Sequence, residues 1–187
     1  TTRPEPLMDK SIAITMGDPA GIGPEIIAKA FRDAPALTRG CFVAGDVETL
    51  RLASRSIAAP GSLAWPVAVI HRSDEALRMP PRCIPVLQVS KTHGLIALGA
   101  VSGIAGRMAA ESVVWAADAA LRGDIAALVT APLHKESLAA AGPPHNRFPG
   151  HTEMLQHRAA QAAAVPIAQL PVRMMLANDE LRTVLVS

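Results

Sequence analysis

The sequence has few cysteines, little net charge and no long apolar run, and each absence removes a class of protein. The only cysteines among 187 residues are Cys41 and Cys83, which form no CxxC motif and fit reduced thiols better than a disulfide framework. The formal net charge is +2, and Lys and Arg are scattered along the chain. That distribution argues against nucleic acid or an anionic membrane as the main partner. Small molecules are the expected ligands.

Membrane insertion and secretion are not expected either. No run reaches the roughly 18 uninterrupted apolar residues that a membrane-spanning helix needs. The polar start, residues 1–10, lacks the apolar middle of a signal peptide. Half of the residues are hydrophobic, which is enough for a substantial core. Together with the reduced thiols, this composition predicts a folded cytoplasmic protein.

Strand patterns and helix patterns alternate along the chain. Short apolar runs predict strands at residues 11–16, 41–45, 125–130, 172–176 and 181–186. Helices are predicted at residues 25–31, 47–54, 134–141 and 150–164, and one of about four turns from residue 106 to a left-handed cap at Gly123. Residues 58–82, rich in Pro and Ser, predict hairpins or loops. The alternation predicts an α/β fold with a mainly parallel sheet, in which the run at 125–130, apolar on both faces, is typical of a central strand.

The first candidate site is the loop TMGDPAGIGPE, which joins the first strand to the first helix. It matches neither the dinucleotide fingerprint GxGxxG nor a P-loop, and Asp18 and Glu25 would repel a phosphate. It could line a ligand cleft, because ligands of open α/β sheets collect at the carboxyl ends of strands. It could equally be a tight turn whose glycines adopt positive φ, with Glu25 complementing the helix dipole.

Two further loops carry candidate residues. In HNRFPGHTE, His151 and Thr152 stand at the start of a predicted helix, where backbone N–H groups favour an anion such as a phosphorylated substrate. Alternatively, Thr152 only caps the helix and His151 is solvated. Lys135 follows a strand end and could bind an anion or relay a proton as a catalytic residue, or could be an exposed lysine of a first turn. A zinc site made of His145, His151 and His157 is disfavoured by their spacing of six.

Taken together, three segments resemble one enzyme family. ITMGDPAGIGPEIIAKA, GDIAALVTAPLHKESLAAAG and FPGHTEMLQHRA occur in the order found in the 4-hydroxythreonine-4-phosphate dehydrogenases. The resemblance covers most of the chain and is weakest at residues 54–92. The GIGPE piece also resembles the isocitrate and isopropylmalate dehydrogenases. The resemblance therefore implies their two-lobed fold, with residues 1–125 in the first lobe and residues 126–187 starting a second, truncated lobe.

The resemblance also implies a reaction and its cofactors. Members of the family oxidise 4-phosphohydroxy-L-threonine with NAD and then release CO₂, on the way to pyridoxal 5'-phosphate. A divalent metal, Zn, Mg or Co, polarises the oxygen that becomes the carbonyl. His151 and Thr152 match the substrate-contacting pair of the family's GHTE motif. Asp18, Glu25 and Lys135 match motif positions with cleft-lining or substrate-proximal roles.

The metal ligands and most nicotinamide contacts of the family are expected beyond Ser187. We therefore expect this chain to be the amino-terminal half of a longer enzyme and to be inactive alone. The family implies a homodimer, and apolar residues near the site, Met154, Leu155 and residues 170–176, are candidates for its contacts. Three alternatives remain: a dehydrogenase of a phosphorylated threonate or erythronate, an inactive phosphate-binding module and a zinc hydrolase.

Overall fold

A computed structural model describes residues 10–90 and 96–186. The expectations drawn from the polar start and from Ser187 concern residues outside these ranges. The strands are β1 (Ile12–Thr15), β2 (Cys41–Gly45), β3 (Val67–Ile70), β4 (Ile84–Gln88), β5 (Ala127–Thr130), β6 (Met175–Ala177) and β7 (Arg182–Val184). The α-helices are α1 (Gly23–Asp33), α2 (Val47–Ser56), α3 (Gly103–Arg122), α4 (Lys135–Ala140) and α5 (His151–Ala162). A 3-10 helix spans Ser73–Arg78.

Five strands form one parallel sheet in the order β3-β4-β2-β1-β5. In the register of β1, Ile12 lies opposite Cys41 of β2 and Ala127 of β5. The predicted α/β fold with a mainly parallel sheet is therefore confirmed. All five strands end at the same edge, so the loops that follow β1 and β5 are neighbours.

Helices cover both faces of this sheet. Successive side chains of a strand point to opposite faces, and β2, buried at every position, contributes to two core clusters. Val43 packs with Phe31 of α1 and Leu50 of α2, whereas Phe42 packs in the cluster that contains Ala116 of α3. Buried strands covered on both sides are typical of parallel sheets.

The predicted helices form, and α3 is the clearest case. It runs for 20 residues, longer than the four turns expected, and ends at Gly123 with φ 78°, the predicted left-handed cap. Ser102 begins it, its side chain accepting a hydrogen bond from the backbone N–H of Ala105. Its first three residues were not predicted, and its amino-terminal part packs against α4 through Gly103 and Gly106.

Three parts of the sequence-based picture are wrong. Residues 58–82 were predicted as hairpins or loops, but besides loops they contain a parallel strand, β3, and the 3-10 helix, and β4 was not predicted. β5 is the edge strand of the sheet within the described residues, where Val129 is 52 % exposed, and not a central one. The last two strands are shorter than predicted and pair with each other antiparallel, outside the main sheet.

The boundary expected between residues 125 and 126 falls just before β5. β5 pairs with β1 along its whole length, so residues 127–130 belong to the same sheet as β1 to β4, and the division into two lobes stays a prediction. In the described ranges, no helix is both long and apolar enough to cross a membrane.

Candidate functional site

The loops after β1 and β5 are held against each other by the backbone. The N–H of Asp18 donates a hydrogen bond to the carbonyl of Pro132 (3.0 Å), and the N–H of Ala131 donates to the carbonyl of Thr15 (3.3 Å). These bonds extend the β1–β5 pairing beyond the strands. They make one continuous surface of the GDPAG loop and the TAP loop at the carboxyl edge of the sheet.

This close approach requires glycine at two positions. Gly17 has φ +74°, and a Cβ there would lie 2.4 Å from the carbonyl oxygen of Pro132. At Gly23, a Cβ would lie 2.5 Å from the carbonyl oxygen of Met16. Both distances are shorter than van der Waals contact, so the glycines set the spacing of the two loops and the start of α1.

Asp18 is buried in the first of these loops, with 3 % of its surface exposed. Its Oδ1 accepts a hydrogen bond from the N–H of Ala20 (2.7 Å), and its carbonyl accepts one from the N–H of Gly21 (3.0 Å). A second segment covers the loop, since the N–H of Gly99 donates to the carbonyl of Ala20 (2.8 Å). The carboxylate therefore fixes the loop conformation, and its charge keeps the loop unsuited to a phosphate.

His151, the first residue of α5, lies beside the end of β5. Its Nε2 is buried and has no hydrogen-bond partner among the described residues. Burial lowers the pKa of His151 below its usual value of 6.5, and the nearby backbone of Ala131 acts in the opposite direction. The ring is therefore neutral at pH 7, with an unsatisfied polar atom next to the TAP loop. His151 is half-buried, and its Nε2 is shielded from solvent.

Packing of α5 holds His151 in this position. Met154 is 1 % exposed and lies in a cluster with Val113 of α3 and Leu138 of α4. The guanidinium of Arg158 also binds the carboxylate of Asp118 on α3 through two contacts of 2.7 Å. Because Met154 is part of this core, its predicted role in a contact between subunits is wrong.

Thr152 does not cap α5. The cap residue is Gly150, and no side chain within the described part of the chain caps this helix end. Thr152 is exposed at the second helical position, and Glu153 is the acidic residue of the first turn. Helix starts of this kind attract anions.

Lys135 and Glu25 lie at the starts of two other helices. Lys135 is the first residue of α4 and is exposed, without a carboxylate within 4.0 Å in residues 10–90 and 96–186. The preceding His134 caps α4, its Nδ1 accepting from the N–H of Ser137 (3.4 Å). Glu25, in the first turn of α1, pairs with Lys29 at 2.5 Å.

Sequence reasoning missed a polar group after β2 and β4. Asp46 is 2 % exposed and caps α2 by accepting from the N–H (2.9 Å) and hydroxyl (2.8 Å) of Thr49. Its other oxygen accepts from Nε2 of Gln88 (2.9 Å), whose Oε1 accepts from the N–H of Val47 (2.8 Å). The sequence did contain a signal for Asp46, because an Asp directly before a helical pattern is a typical helix cap.

Asp46, the centre of this polar group, contacts Met16, the residue that precedes the GDPAG loop. The N–H of Asp46 donates to Sδ of Met16 (3.4 Å), and a Cβ on Gly45 would lie 2.6 Å from Cβ of Met16. Thr15, next to Met16, is fully buried, and its hydroxyl has no partner in the described part of the protein. Nothing in the sequence marks this orphan hydroxyl.

The histidines do not assemble a metal centre by themselves. Across the described residues, no three His, Cys, Asp or Glu side chains are grouped so that they could hold a metal ion. Nε2 of His157 lies 2.7 Å from the guanidinium of Arg147, which can only donate to it. His151 could supply one ligand, but the described residues do not complete a metal site. The GDPAG loop likewise does not fit a dinucleotide phosphate.

Comparison with protein families gives a match over most of the chain. The family described as pyridoxal phosphate biosynthetic protein PdxA matches residues 38–187. A 4-hydroxythreonine-4-phosphate dehydrogenase of Beijerinckia indica is 41 % identical over 181 residues, which cover 97 % of this chain and 49 % of that protein. The D-threonate 4-phosphate dehydrogenase of Salmonella typhimurium is 39 % identical over 158 residues, 78 % of this chain and 43 % of that protein.

Solved structures give the same picture. A 4-hydroxythreonine-4-phosphate dehydrogenase from Klebsiella pneumoniae superposes with a TM-score of 0.75 at 35 % identity and covers 94 % of this chain and 50 % of that one. The enzyme of the same name from Burkholderia phymatum gives 0.75 at 34 % identity, over 94 % and 48 % of the two chains. The chain thus spans about half the length of the relatives that it matches.

Proposed function

Because the chain belongs to the PdxA family of pyridoxal phosphate biosynthetic proteins, we propose that it contributes the substrate-binding histidine of a 4-hydroxythreonine-4-phosphate dehydrogenase. The complete protein would oxidise 4-phosphohydroxy-L-threonine with NAD and then decarboxylate the product. The 41 % identity to a dehydrogenase of that name supports this choice of substrate.

The observation that carries the proposal is the unpartnered Nε2 of His151. A buried polar atom without a hydrogen bond is unfavourable by about 1–3 kcal/mol, so a bound group that pairs with this nitrogen would be stabilised. A hydroxyl or phosphate oxygen of the substrate would satisfy it. The lowered pKa keeps the ring neutral, so that it can accept a proton from a hydroxyl or donate one from its protonated nitrogen.

We propose that the residues around His151 complete the substrate pocket. The exposed hydroxyl of Thr152 and the first-turn N–H groups of α5 would bind an anionic group of the substrate. Lys135, exposed at the start of α4, would act as the catalytic ammonium that approaches a carboxylate or relays a proton. Asp18 and Glu25 would line the cleft, Asp18 by holding the GDPAG loop against Pro132.

The remaining features are proposed for the complete protein. A nicotinamide cofactor and a divalent metal, Zn, Mg or Co, would be held mainly by residues other than those described here. The protein would act as a homodimer in the cytoplasm. These proposals rest on the family membership.

A D-threonate 4-phosphate dehydrogenase is the second candidate. A relative of that name is 39 % identical over 158 residues, close to the value for the first candidate. Both substrates are phosphorylated hydroxy acids, and they differ in the amino group. No residue identified in the site discriminates between an amino group and a hydroxyl.

The test is NADH formation by a full-length protein that carries this sequence, with each substrate in turn. We expect a higher kcat/KM for 4-phosphohydroxy-L-threonine, and the reverse order would assign the second function. His151→Gln should lower kcat/KM by at least about tenfold, because the substrate loses a buried hydrogen bond. His157→Gln, six residues along the same helix, is the matched control and should keep activity. Equal activity of the two variants would contradict the role of His151.

We also propose that the 187-residue chain alone does not oxidise the alcohol. Removal of the metal alone would forfeit several kcal/mol of transition-state stabilisation, and each 1.36 kcal/mol is about tenfold in rate. The measurement is NADH formation by this polypeptide with NAD, divalent metal and 4-phosphohydroxy-L-threonine. Turnover comparable to that of the full-length protein would disprove this proposal without affecting the role of His151.

A further inference from the structure

We propose that the protein has a second small-molecule site, for an organic anion with an apolar body, at the sheet edge opposite the candidate site. The basis is a cavity of about 730 Å³, lined by residues of two segments, 31–41 and 76–85. These segments lead into the amino-terminal ends of β2 and β4. Because the strands are parallel, the cavity and the loops around His151 lie at opposite edges. Its volume is within the range of about 300–1,000 Å³ that is typical of ligand pockets.

Part of the wall of this cavity is apolar and stiff, beside its polar groups. Phe31, Leu77 and Met79 line it, and Leu77 is 38 % exposed although apolar. The lining also contains four prolines, Pro35, Pro80, Pro81 and Pro85. Proline has a fixed φ, so a ligand that binds here immobilises little additional backbone. Such walls suit an apolar body such as an aromatic ring or a short alkyl chain.

The charged side chains of the cavity are all positive. Arg39, Arg78 and Arg82 line it, and no Asp or Glu does so. Arg78 lies 3.9 Å from Asp74, but Arg39 and Arg82 have no carboxylate within 4.0 Å among residues 10–90 and 96–186. Guanidinium groups bind carboxylates, sulfonates and phosphates through paired N–H donors. The charge therefore selects an anion, and the apolar walls select one with an organic body.

The backbone at Arg82 supports a binding role for this segment. Arg82 has φ 72°, in the left-handed region that residues with a Cβ rarely adopt. Strained residues of this kind concentrate at binding sites, where the surrounding structure holds them. Here Pro81 precedes Arg82, and Cys83, whose Sγ donates to the carbonyl of Pro80 (3.2 Å), follows it. The chain thus places Arg82, in this conformation, at the wall of the cavity.

The test uses a probe that combines both features, 1-anilinonaphthalene-8-sulfonate, with the uncharged N-phenyl-1-naphthylamine as its matched partner. We expect the sulfonate to bind and to slow the alkylation of Cys83 by iodoacetamide, followed by peptide mass spectrometry. The double variant R39Q/R82Q should raise the Kd of the sulfonate by about tenfold and leave that of the uncharged dye unchanged, because the loss is of charge-assisted hydrogen bonds.

A control variant excludes binding at another apolar surface. R182Q removes an exposed guanidinium of β7, next to the exposed apolar side chains of the antiparallel hairpin, and should leave the Kd of the sulfonate unchanged. Saturation by the sulfonate without protection of Cys83 would overturn the proposal, as would equal weakening by R182Q and R39Q/R82Q. If R39Q/R82Q changed the Kd of both dyes equally, the cavity would be an apolar surface without anion selectivity. That result would also overturn the proposal.

Discussion

Among single residues, His151 connects burial with chemistry most directly. It is the only candidate whose side chain combines a buried orphan atom with a lowered pKa among the described residues. Asp18, by contrast, uses its carboxylate within its own loop, and Glu25 pairs with Lys29. Neither carboxylate has an orphan atom. The proposed chemistry of the site therefore uses a neutral imidazole more than the acidic residues of the glycine-rich loop.

The lowered pKa of His151 predicts how stability depends on pH. The unfolded chain has the ordinary histidine pKa of about 6.5 and binds a proton more readily than the folded chain. Both states are neutral above that value, so the histidine has no effect there. Stability is lost as the pH falls through the unfolded pKa and stops falling below the lower folded pKa. His145 and His157 have pKa shifts of the same sign.

The measurement is urea unfolding from about pH 7.5 to about pH 5.5. Wild-type protein should lose stability over this interval, and His151→Gln should lose less. His71→Gln, at an exposed position, is the control and should follow the wild type. If H151Q lost as much stability over this pH interval as the wild type, the effect of burial on His151 would be contradicted.

Lys135 gives a second prediction for a single residue. Lys135→Met in a full-length protein should lower kcat by about a hundredfold or more if the ammonium takes part in proton transfer. Because the side chain is exposed, the free energy of unfolding should change by less than about 0.5 kcal/mol. Steady-state kinetics and thermal melting measure the two effects. Lys10→Met, before β1 at the other sheet edge, is the matched control, and unchanged kcat in K135M would exclude the catalytic role.

Among the secondary structure elements, the contact between α3 and α4 determines the position of α4, the helix that follows the loop after β5. A Cβ on Gly106 would lie 1.9 Å from the carbonyl oxygen of Ser137, and one on Gly103 would lie 2.2 Å from that of Ala140. Ser137 itself is fully buried and accepts a hydrogen bond from the N–H of Ser102 (3.3 Å). The two helices therefore touch backbone to backbone. This contact fixes the position of α4, and with it the positions of His134 and Lys135 at the start of that helix.

Gly106→Ala should consequently push α4 away from α3. The expected loss is about 1–3 kcal/mol in the free energy of unfolding, the usual range for an overpacked core. Chemical denaturation measures it. Gly21→Ala is the control, because a Cβ there would have ordinary contacts of 3.5 Å or more and should cost under about 0.5 kcal/mol. Equal stability of G106A and wild type would show that the two helices can separate without loss.

The bond between α3 and α5 supports a further prediction. Asp118→Asn removes the carboxylate that binds Arg158 through two contacts. The side chain of Asp118 is 27 % exposed and that of Arg158 is 31 % exposed. We expect a loss of about 1 kcal/mol, because the pair is bidentate and partly buried. Glu48→Gln breaks the more exposed Arg51–Glu48 pair and should change stability by under about 0.5 kcal/mol. A loss in D118N no larger than in E48Q would contradict a special role for this pair.

The sequence predicted elements well where the signal is local. The strand at 41–45, the cap at Gly123 and the helix start at His151 are set by neighbouring residues. β5 was misassigned because an apolar run gives burial on both faces but not the position in the sheet, which depends on distant pairing. The burial of Nε2 of His151 beside Ala131, twenty positions away in the sequence, also depends on distant contacts, so no local pattern predicts it.

For the whole molecule, the distribution of exposed apolar surface is uneven. The antiparallel hairpin of β6 and β7 is exposed at every position, although it carries Met175, Leu176 and Val184. Contiguous apolar patches on soluble proteins mark interaction sites more often than isolated apolar residues do. With Met154 excluded, this hairpin is the best-supported contact surface for the proposed homodimer.

The hairpin makes the dimer testable. Met175 lies directly opposite Val184 in the register of the two strands, and they are 55 % and 44 % exposed. We expect a full-length protein with this sequence to sediment as a dimer at micromolar concentration. The double variant M175D/V184D should weaken the dimer by at least about tenfold, because two carboxylates would be desolvated in the interface. Leu63→Asp replaces a leucine that is 96 % exposed elsewhere and should leave the dimer intact. A monomeric wild type would disprove the dimer, whereas a dimer unaffected by M175D/V184D would disprove the hairpin as its contact.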